Sequence, residues 1–270
     1  MSAPHFSRYV ALGDSSTEGL DDAIGLGRYR GWADRLAAHV AHARREMQPD
    51  AEPLLYANLA IRGRKTRQIL DEQLAPALAM RPDLATVFSG TNDIIRSGFR
   101  LDPVIDDIRT MQRALRAAGA TVLTITMPDL SEVMPFARGA APKLRAFNAA
   151  VREVSRETGT IVVDLADQPF VTDPRFWSED RLHANSEGHR RIAAALAHAL
   201  GLPHVDERWS EPLPPRQRPS TAMRLARELR WLRDYFIPWV WRHARGRSSG
   251  DGITAKRPQL TPVIDRDIGL

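Results

Sequence analysis

The stretch Arg8-Tyr-Val-Ala-Leu-Gly-Asp-Ser15 decides how the rest of the chain is read. Residues 8–12 form an apolar, β-favouring run that ends at Gly13, which predicts a buried strand. Gly13-Asp14-Ser15 then reads as a turn. Downstream, Trp32–Met47 carries Leu36, Val40 and Ala43 on one helical face. A buried strand that passes through a turn into an amphipathic helix is the repeating unit of a parallel sheet.

The unit recurs to the C-terminal side. Strands are predicted at 54–59, 84–88, 121–126 and 160–164, and helices at 66–80, 103–118, 142–158 and 186–200. Asp102 followed by Pro103 reads as an N-cap with proline in the first helical position. Five strands separated by helices predict an α/β domain over residues 1–205, with a five-stranded parallel sheet covered on both faces. Functional loops in such sheets lie beyond the C-terminal ends of the strands.

Composition narrows the chemistry. The 270-residue chain is 43% hydrophobic and 26% charged, an ordinary globular balance. It has no cysteine, which excludes disulfides, thiolate metal sites and cysteine nucleophiles. No run approaches the roughly 18 apolar residues of a membrane span, and the N-terminal residues do not read as a signal peptide. A cytoplasmic protein is expected. The net charge of +5 is confined to residues 206–270, which hold 13 basic and 8 acidic residues, whereas 1–205 are balanced.

Four loops carry candidate chemistry. Gly13-Asp-Ser-Ser-Thr-Glu-Gly19 places a serine on a tight strand-to-helix turn, where a hydroxyl and its backbone N–H are both presented. Asn58-Leu-Ala-Ile-Arg-Gly63 ends in a glycine that either offers an open N–H to an oxyanion or serves only a positive backbone angle. Ser89-Gly-Thr-Asn-Asp93 supplies the Asn92 amide as a donor, or an ordinary turn. Trp177-Ser-Glu-Asp-Arg-Leu-His183 sets Asp180 three residues before His183, a spacing that lets a carboxylate orient an imidazole and fix its tautomer.

Together the four blocks resemble the SGNH (GDSL) hydrolase family, named for its Ser, Gly, Asn and His. The resemblance covers roughly residues 7–201. Gly13-Asp14-Ser15 with Thr17 and Gly19 corresponds to the first block, Gly63 to the second, Gly90-Thr91-Asn92-Asp93 to the third and Asp180-Arg-Leu-His183 to the last. Ser16 stands where the older family name has leucine, and Ala184 where many members have proline.

The resemblance implies a three-layer, flavodoxin-like fold and a serine hydrolase of carboxylic esters. In that reading Ser15 attacks an acyl carbonyl, His183 shuttles the proton and Asp180 orients His183. The N–H groups of Ser15 and Gly63 and the Asn92 side chain hold the oxyanion, while Asp14 and Asp93 hydrogen-bond the loop backbones. The chemistry requires no metal or organic cofactor. The same triad serves an acyltransferase, with an alcohol in place of water. The G-x-S-x-G elbow, the phosphate loop and the H-E-x-x-H zinc helix are absent from the sequence. The implied substrate is a small-molecule or lipid ester with a short or medium acyl group. Phe176 and Trp177 either line its acyl or alcohol site or belong to the core.

Residues 206–270 read as an extension. A Pro/Arg-rich linker covers 206–219, and an amphipathic helix 221–236 sets Leu225, Leu229, Leu232 and Phe236 against Arg224, Arg227, Arg230 and Arg233. Residues 246–270 are expected to be flexible or draped on the surface. The favoured reading packs the helix's apolar face on the α/β domain. As a second alternative function, its arginines with the aromatics Trp231, Tyr235, Phe236, Trp239 and Trp241 suit a binding module for an anionic membrane surface, contacted through 221–245, or for nucleic acid; as a variant, the aromatics lie near the active-site rim. Nucleic acid is not expected as a partner.

Overall fold

The computed structural model describes residues 5–264 except 26, 97, 206, 216–219, 239–240 and 242–247. In chain order the elements are β1 (Arg8–Gly13), α1 (Ser15–Glu18), β2 (Ala23–Gly25), β3 (Arg28–Tyr29), α2 (Gly31–Met47), β4 (Leu55–Asn58), α3 (Thr66–Ala79) and β5 (Leu84–Phe88). They continue as α4 (Thr91–Ile94), α5 (Leu101–Ala117), β6 (Thr121–Ile125), α6 (Ala141–Thr158), β7 (Ile161–Val163), α7 (Ser186–Ala199), α8 (Thr221–Trp231) and β8 (Arg257–Pro262).

The main sheet runs in the order β7-β6-β5-β1-β4-β8. β1 lies inside the sheet with a neighbour on each side, and Tyr9, Val10, Ala11 and Leu12 are all fully buried. It pairs in parallel with β4 on one side (Val10 opposite Ala57) and with β5 on the other (Val10 opposite Ala85). The chain thus steps from β1 out to β4 and then crosses back to β5. This reversal of strand order is the switch point at which such sheets carry their sites. Helices α2 and α7 form one covering layer, and α3, α5 and α6 the other. Buried polar groups pin the layers. The Tyr9 and Tyr56 rings stack at 4.9 Å, and their hydroxyls reach Thr86 (2.9 Å) and Asp34 (2.7 Å).

Two sequence expectations are corrected here. The sheet has six strands rather than five, because β8 adds antiparallel to β4, with Leu55 opposite Pro262 and Tyr56 opposite Thr261. This strand lies inside the stretch expected to be flexible or draped on the surface. Its sequence, Arg-Pro-Gln-Leu-Thr-Pro, is polar and holds two prolines, so it has no strand signature. An edge strand tolerates this composition, since one side of it makes no ladder bonds. Val263 N–H donates to the Leu54 carbonyl (2.8 Å), and Lys256 Nζ caps the Tyr29 and Arg30 carbonyls (3.1 and 2.7 Å). The second correction concerns α5, which begins at Leu101 with Arg100 as its cap; Asp102 lies inside the first turn and makes no capping bond.

The start of the extension packs on the domain, where Arg191 donates to the Trp209 carbonyl (2.9 Å) and Arg175 to the Pro214 carbonyl (2.7 Å). Along α8 only Trp231 is buried. Leu225 and Leu229, expected to pack on the domain, are 60% and 59% exposed. Trp239 lies outside the described residues, as do 242–245 of the segment considered for membrane contact. Among the described residues, no helix is long and apolar enough to cross a membrane.

Candidate active site

Three blocks follow β1, β4 and β5, the fourth lies just before α7, and each is held by hydrogen bonds made by the fold. At the end of β1, Gln73 on α3 grips Gly13 from both sides, accepting from its N–H (2.8 Å) and donating to its carbonyl (2.9 Å). The Asp14 carboxylate caps α1 by accepting from Ser16 N–H (3.1 Å). Ser15 therefore sits at the first position of a short helix on a fixed base.

The loop after β4 is tied to α1. Asn58 donates to the Thr17 carbonyl (2.8 Å), and Arg62 forms a largely buried ion pair with Glu18, which also accepts from Arg62 N–H (2.9 Å). Gly63 follows with φ +75°, a conformation that disfavours any side chain. Of the two sequence readings of Gly63, the positive backbone angle is the one observed, on the loop that Glu18 of α1 holds. After β5, Asn92 Nδ2 donates to the Arg64 carbonyl and to Asp14, each at 3.1 Å, so its amide joins the first block to the second. Asp93 accepts from the N–H and hydroxyl of Thr66 (2.9 and 2.8 Å), a backbone-holding contact of the kind the resemblance implied.

The fourth block is a tight turn. Ser178 N–H donates to the His183 carbonyl (2.8 Å), and Trp177 bridges Ala184. Asp180 Oδ1 accepts from the Leu182 and His183 amides (2.9 and 3.0 Å) and from the Ser178 hydroxyl (2.6 Å). Asp180 Oδ2 lies 2.6 Å from His183 Nδ1, and His183 Nε2 lies 2.8 Å from Ser15 Oγ. The three side chains form one hydrogen-bonded chain from carboxylate to imidazole to hydroxyl. With its proton on Nδ1, the imidazole presents the Nε2 lone pair to the serine O–H.

Electrostatics follow from burial and pairing. Burial pushes the Asp180 carboxyl up, but the His183 hydrogen bond and charge outweigh it and hold the carboxyl down at about 2. Burial pushes His183 down, but Asp180 outweighs this and the net shift is upward, with Asp21 and Asp14 adding to it. Burial raises Asp14 to about 6 despite its backbone bond to Ser16. Asp21 lies 3.9 Å from His183 Nδ1. Asp21, Asp180 and His183 also form a group of donors with metal-ligand spacing, but two of the three are already joined to each other in the hydrogen-bonded chain.

Ser15 and His183 border an apolar cavity of about 140 Å³, walled by Ile94, Ile95, Met127 and Leu144 among others. Phe176 and Trp177 line it as well. Phe176 is also core, buried and edge-on to Phe170 at 5.2 Å.

Several contributors had no sequence signal. The cavity wall is made of single apolar residues at strand ends and helix starts, which look like core. Gln73 and Asp21 are isolated polar residues. Trp231 reaches the site from the extension, with its indole N–H on the Asp180 carbonyl (3.1 Å); its sequence signal was the aromatic cluster.

Comparison with known proteins gives the family and the fold. A family model described as the GDSL-like lipase/acylhydrolase family matches residues 11–191. A GDSL-like lipase from Parabacteroides merdae is 19% identical with a TM-score of 0.62, over 74% of this chain and 98% of that one. The acetylxylan esterase Axe2 from Geobacillus stearothermophilus is 17% identical with a TM-score of 0.57, over 77% and 100%. A psychrotrophic esterase from Pseudoalteromonas sp. is 18% identical with a TM-score of 0.54, over 72% and 97%. No curated protein matches the chain.

Proposed function

The chain belongs to the GDSL-like lipase/acylhydrolase family, and from that premise we propose that it hydrolyses carboxylic esters of short or medium acyl chains through an acyl-enzyme on Ser15. The observation that carries this reading is the Asp180–His183–Ser15 chain, with contacts of 2.6 and 2.8 Å. Ser15 Oγ attacks the acyl carbonyl as its proton passes to His183 Nε2. The N–H groups of Ser15 and Gly63 and the Asn92 amide stabilise the oxyanion, with Asn92 exchanging its bond to Asp14 for one to the substrate. Collapse breaks the acyl–oxygen bond, and His183 returns the proton to the leaving alcohol. Water then repeats the sequence on the acyl-serine. Asp180 stays ionised and stabilises the imidazolium.

The apolar wall beside Ser15 and His183 favours acyl chains longer than acetyl. Each methylene that enters it contributes about 0.8 kcal/mol, or roughly fourfold in kcat/KM. The test is a p-nitrophenyl ester series from acetate to palmitate, run with wild type and Ser15→Ala. The expected result is Ser15-dependent hydrolysis that rises with chain length and then breaks. A product that forms only when an alcohol acceptor is added would instead assign an acyltransferase. Activity equal in Ser15→Ala would overturn the reading.

The exposed apolar residues Leu225 and Leu229, beside Arg224, Arg227 and Arg230, support peripheral contact of α8 with an anionic lipid surface. Vesicles containing phosphatidylserine should sediment the protein at low salt, and Leu229→Ser should weaken that binding about tenfold. Equal sedimentation by neutral vesicles, or retention by DNA alone, would contradict it. A cytoplasmic location remains part of this proposal.

A further inference from the structure

The extension returns to the site at two separate places, and each contact falls on a backbone segment that the chemistry needs. On the acid–base side, α8 lies on the turn that holds Asp180. The Trp231 indole donates to the Asp180 carbonyl (3.1 Å). Glu228 takes Arg181 in a two-pronged pair (2.7 and 2.8 Å), and the Arg181 guanidinium stacks over the Trp231 ring at 4.8 Å. The Tyr235 hydroxyl donates to Glu179 (2.9 Å). Arg181 has φ +64°, an unfavourable conformation for an L side chain. That conformation belongs to the turn that aims the Leu182 and His183 amides at Asp180 Oδ1. The extension therefore grips the one strained residue between the carboxylate and the imidazole.

On the oxyanion side, the turn Ser248–Asp251 interlocks with Arg62–Gly63. A Cβ on Gly250 would lie 2.0 Å from the Arg62 carbonyl oxygen, and a Cβ on Gly63 would lie 2.1 Å from Ser248 Oγ. The turn is braced internally: Ser248 Oγ accepts from Gly250 N–H (3.1 Å), and the Asp251 carboxylate accepts from Ser248 N–H (3.0 Å). Arg62 is thus held from the nucleophile's helix by Glu18 and from the far side by Gly250. An oxyanion donor must sit within a few tenths of an ångström of 2.7–3.1 Å from the developing charge, so a wall on each side of the peptide has a direct chemical consequence.

We propose that residues 228–235 and 248–250 form a two-point positioning strap, which holds the Asp180–His183 turn at one end and the Arg62–Gly63 peptide at the other. The proposal rests on the ester-hydrolase reading above. The contacts of these residues fall on Asp180, Glu179, Arg181 and the Arg62–Gly63 peptide, so each acts through the group it holds. Their effect should appear in the chemical step rather than in substrate affinity.

The test uses the full chain with Gly250→Ala, Ser248→Ala and Trp231→Phe, and two readouts. One is kcat and KM on p-nitrophenyl butyrate. The other is the rate at which a fluorophosphonate labels Ser15, which reports nucleophile and oxyanion geometry whatever the natural ester. Gly250→Ala should lower kcat and labelling about 10²-fold, the scale of a lost oxyanion donor. Trp231→Phe keeps an aromatic ring, though a smaller one, and loses the indole N–H donor, and should lower both about fivefold. Ser248→Ala should have an effect of similar size, and as a mild change it covers the case in which Gly250→Ala does not fold. KM should stay within about twofold in each variant. Folded variants with wild-type kcat and labelling, or losses confined to KM, would overturn the strap. Normal Ser15 labelling and strap effects without ester turnover would overturn the hydrolase reading alone. Wild type that is not labelled at Ser15 would overturn both.

Discussion

Residues 8–201 and 221–263 build the same site by different means. The first region follows pattern: apolar strands alternate with amphipathic helices, three blocks of chemistry come directly after β1, β4 and β5, and the fourth lies just before α7. The second shows little of this. Its helix leaves Leu225 and Leu229 to solvent, and its strand is polar with two prolines. Yet Trp231 reaches the Asp180 carbonyl and Ser248 packs on Gly63. The difference teaches that a periodic core can place reactive groups on a sheet edge, while the backbone around those groups is also braced by a segment with almost no core of its own.

The largest effect should come from inside the first region. Asp180→Asn preserves the shape of the turn but reverses the donor logic at His183 Nδ1, and should lower kcat about 10⁴-fold in steady-state ester hydrolysis. A loss of only a few fold would move the work of orienting His183 to Asp21, 3.9 Å away.

Next comes the seam between the regions. Gly63→Ala places a methyl group against Ser248 Oγ and strains a φ of +75°. It should lower kcat about 10²–10³-fold. Adding Ser248→Gly removes the clash and leaves the strain, so part of the loss should return. No recovery in the double variant would show that the two segments are not coupled.

A smaller effect is the pH profile. His183 is raised above its ordinary 6.5, chiefly because Asp180 outweighs burial. Its base form is lost below that raised value, so kcat/KM should fall on the acid side with a midpoint above 6.5. A midpoint below 6.5 would mean that burial governs the histidine.

The smallest is a stability slope. Buried Asp14 takes its proton at about 6 in the folded protein, above the ordinary carboxylate value. The folded state holds that proton where the unfolded state has lost it. The group's contribution to stability therefore falls as pH rises from about 4 to 6. Asp180, held at about 2, works in the opposite sense: its contribution is present above about pH 4 and is lost as pH falls towards 2. Asp14→Asn should raise Tm relative to wild type more at pH 8 than at pH 4. An equal difference at both pH values would contradict the burial argument.

Much of the first region was legible because its signals are local. Ser15, Gly63, Asn92 and the Asp180–His183 spacing each follow a recognisable strand or precede a capped helix. The structure brings Ser15, His183 and Asp180 into one chain and joins Asn92 to Asp14. The sixth strand was not legible, because an edge strand needs neither alternation nor freedom from proline. Gln73 carries no signal for a similar reason. Its two bonds to Gly13 depend on the approach of α3 to the end of β1, which no spacing along the chain reveals. The burial of Trp231 on the catalytic turn depends on Arg181, Glu228 and a strained φ meeting across about fifty residues of chain.

The most direct test of the central claim is to trap the intermediate. Wild type is mixed with excess p-nitrophenyl butyrate, quenched in acid within the first turnovers and digested for peptide mass analysis. The account predicts one butyryl group on the peptide that contains Ser15, and none in Ser15→Ala. Steady turnover with no acyl group on that peptide, or an acyl group carried elsewhere, would contradict it.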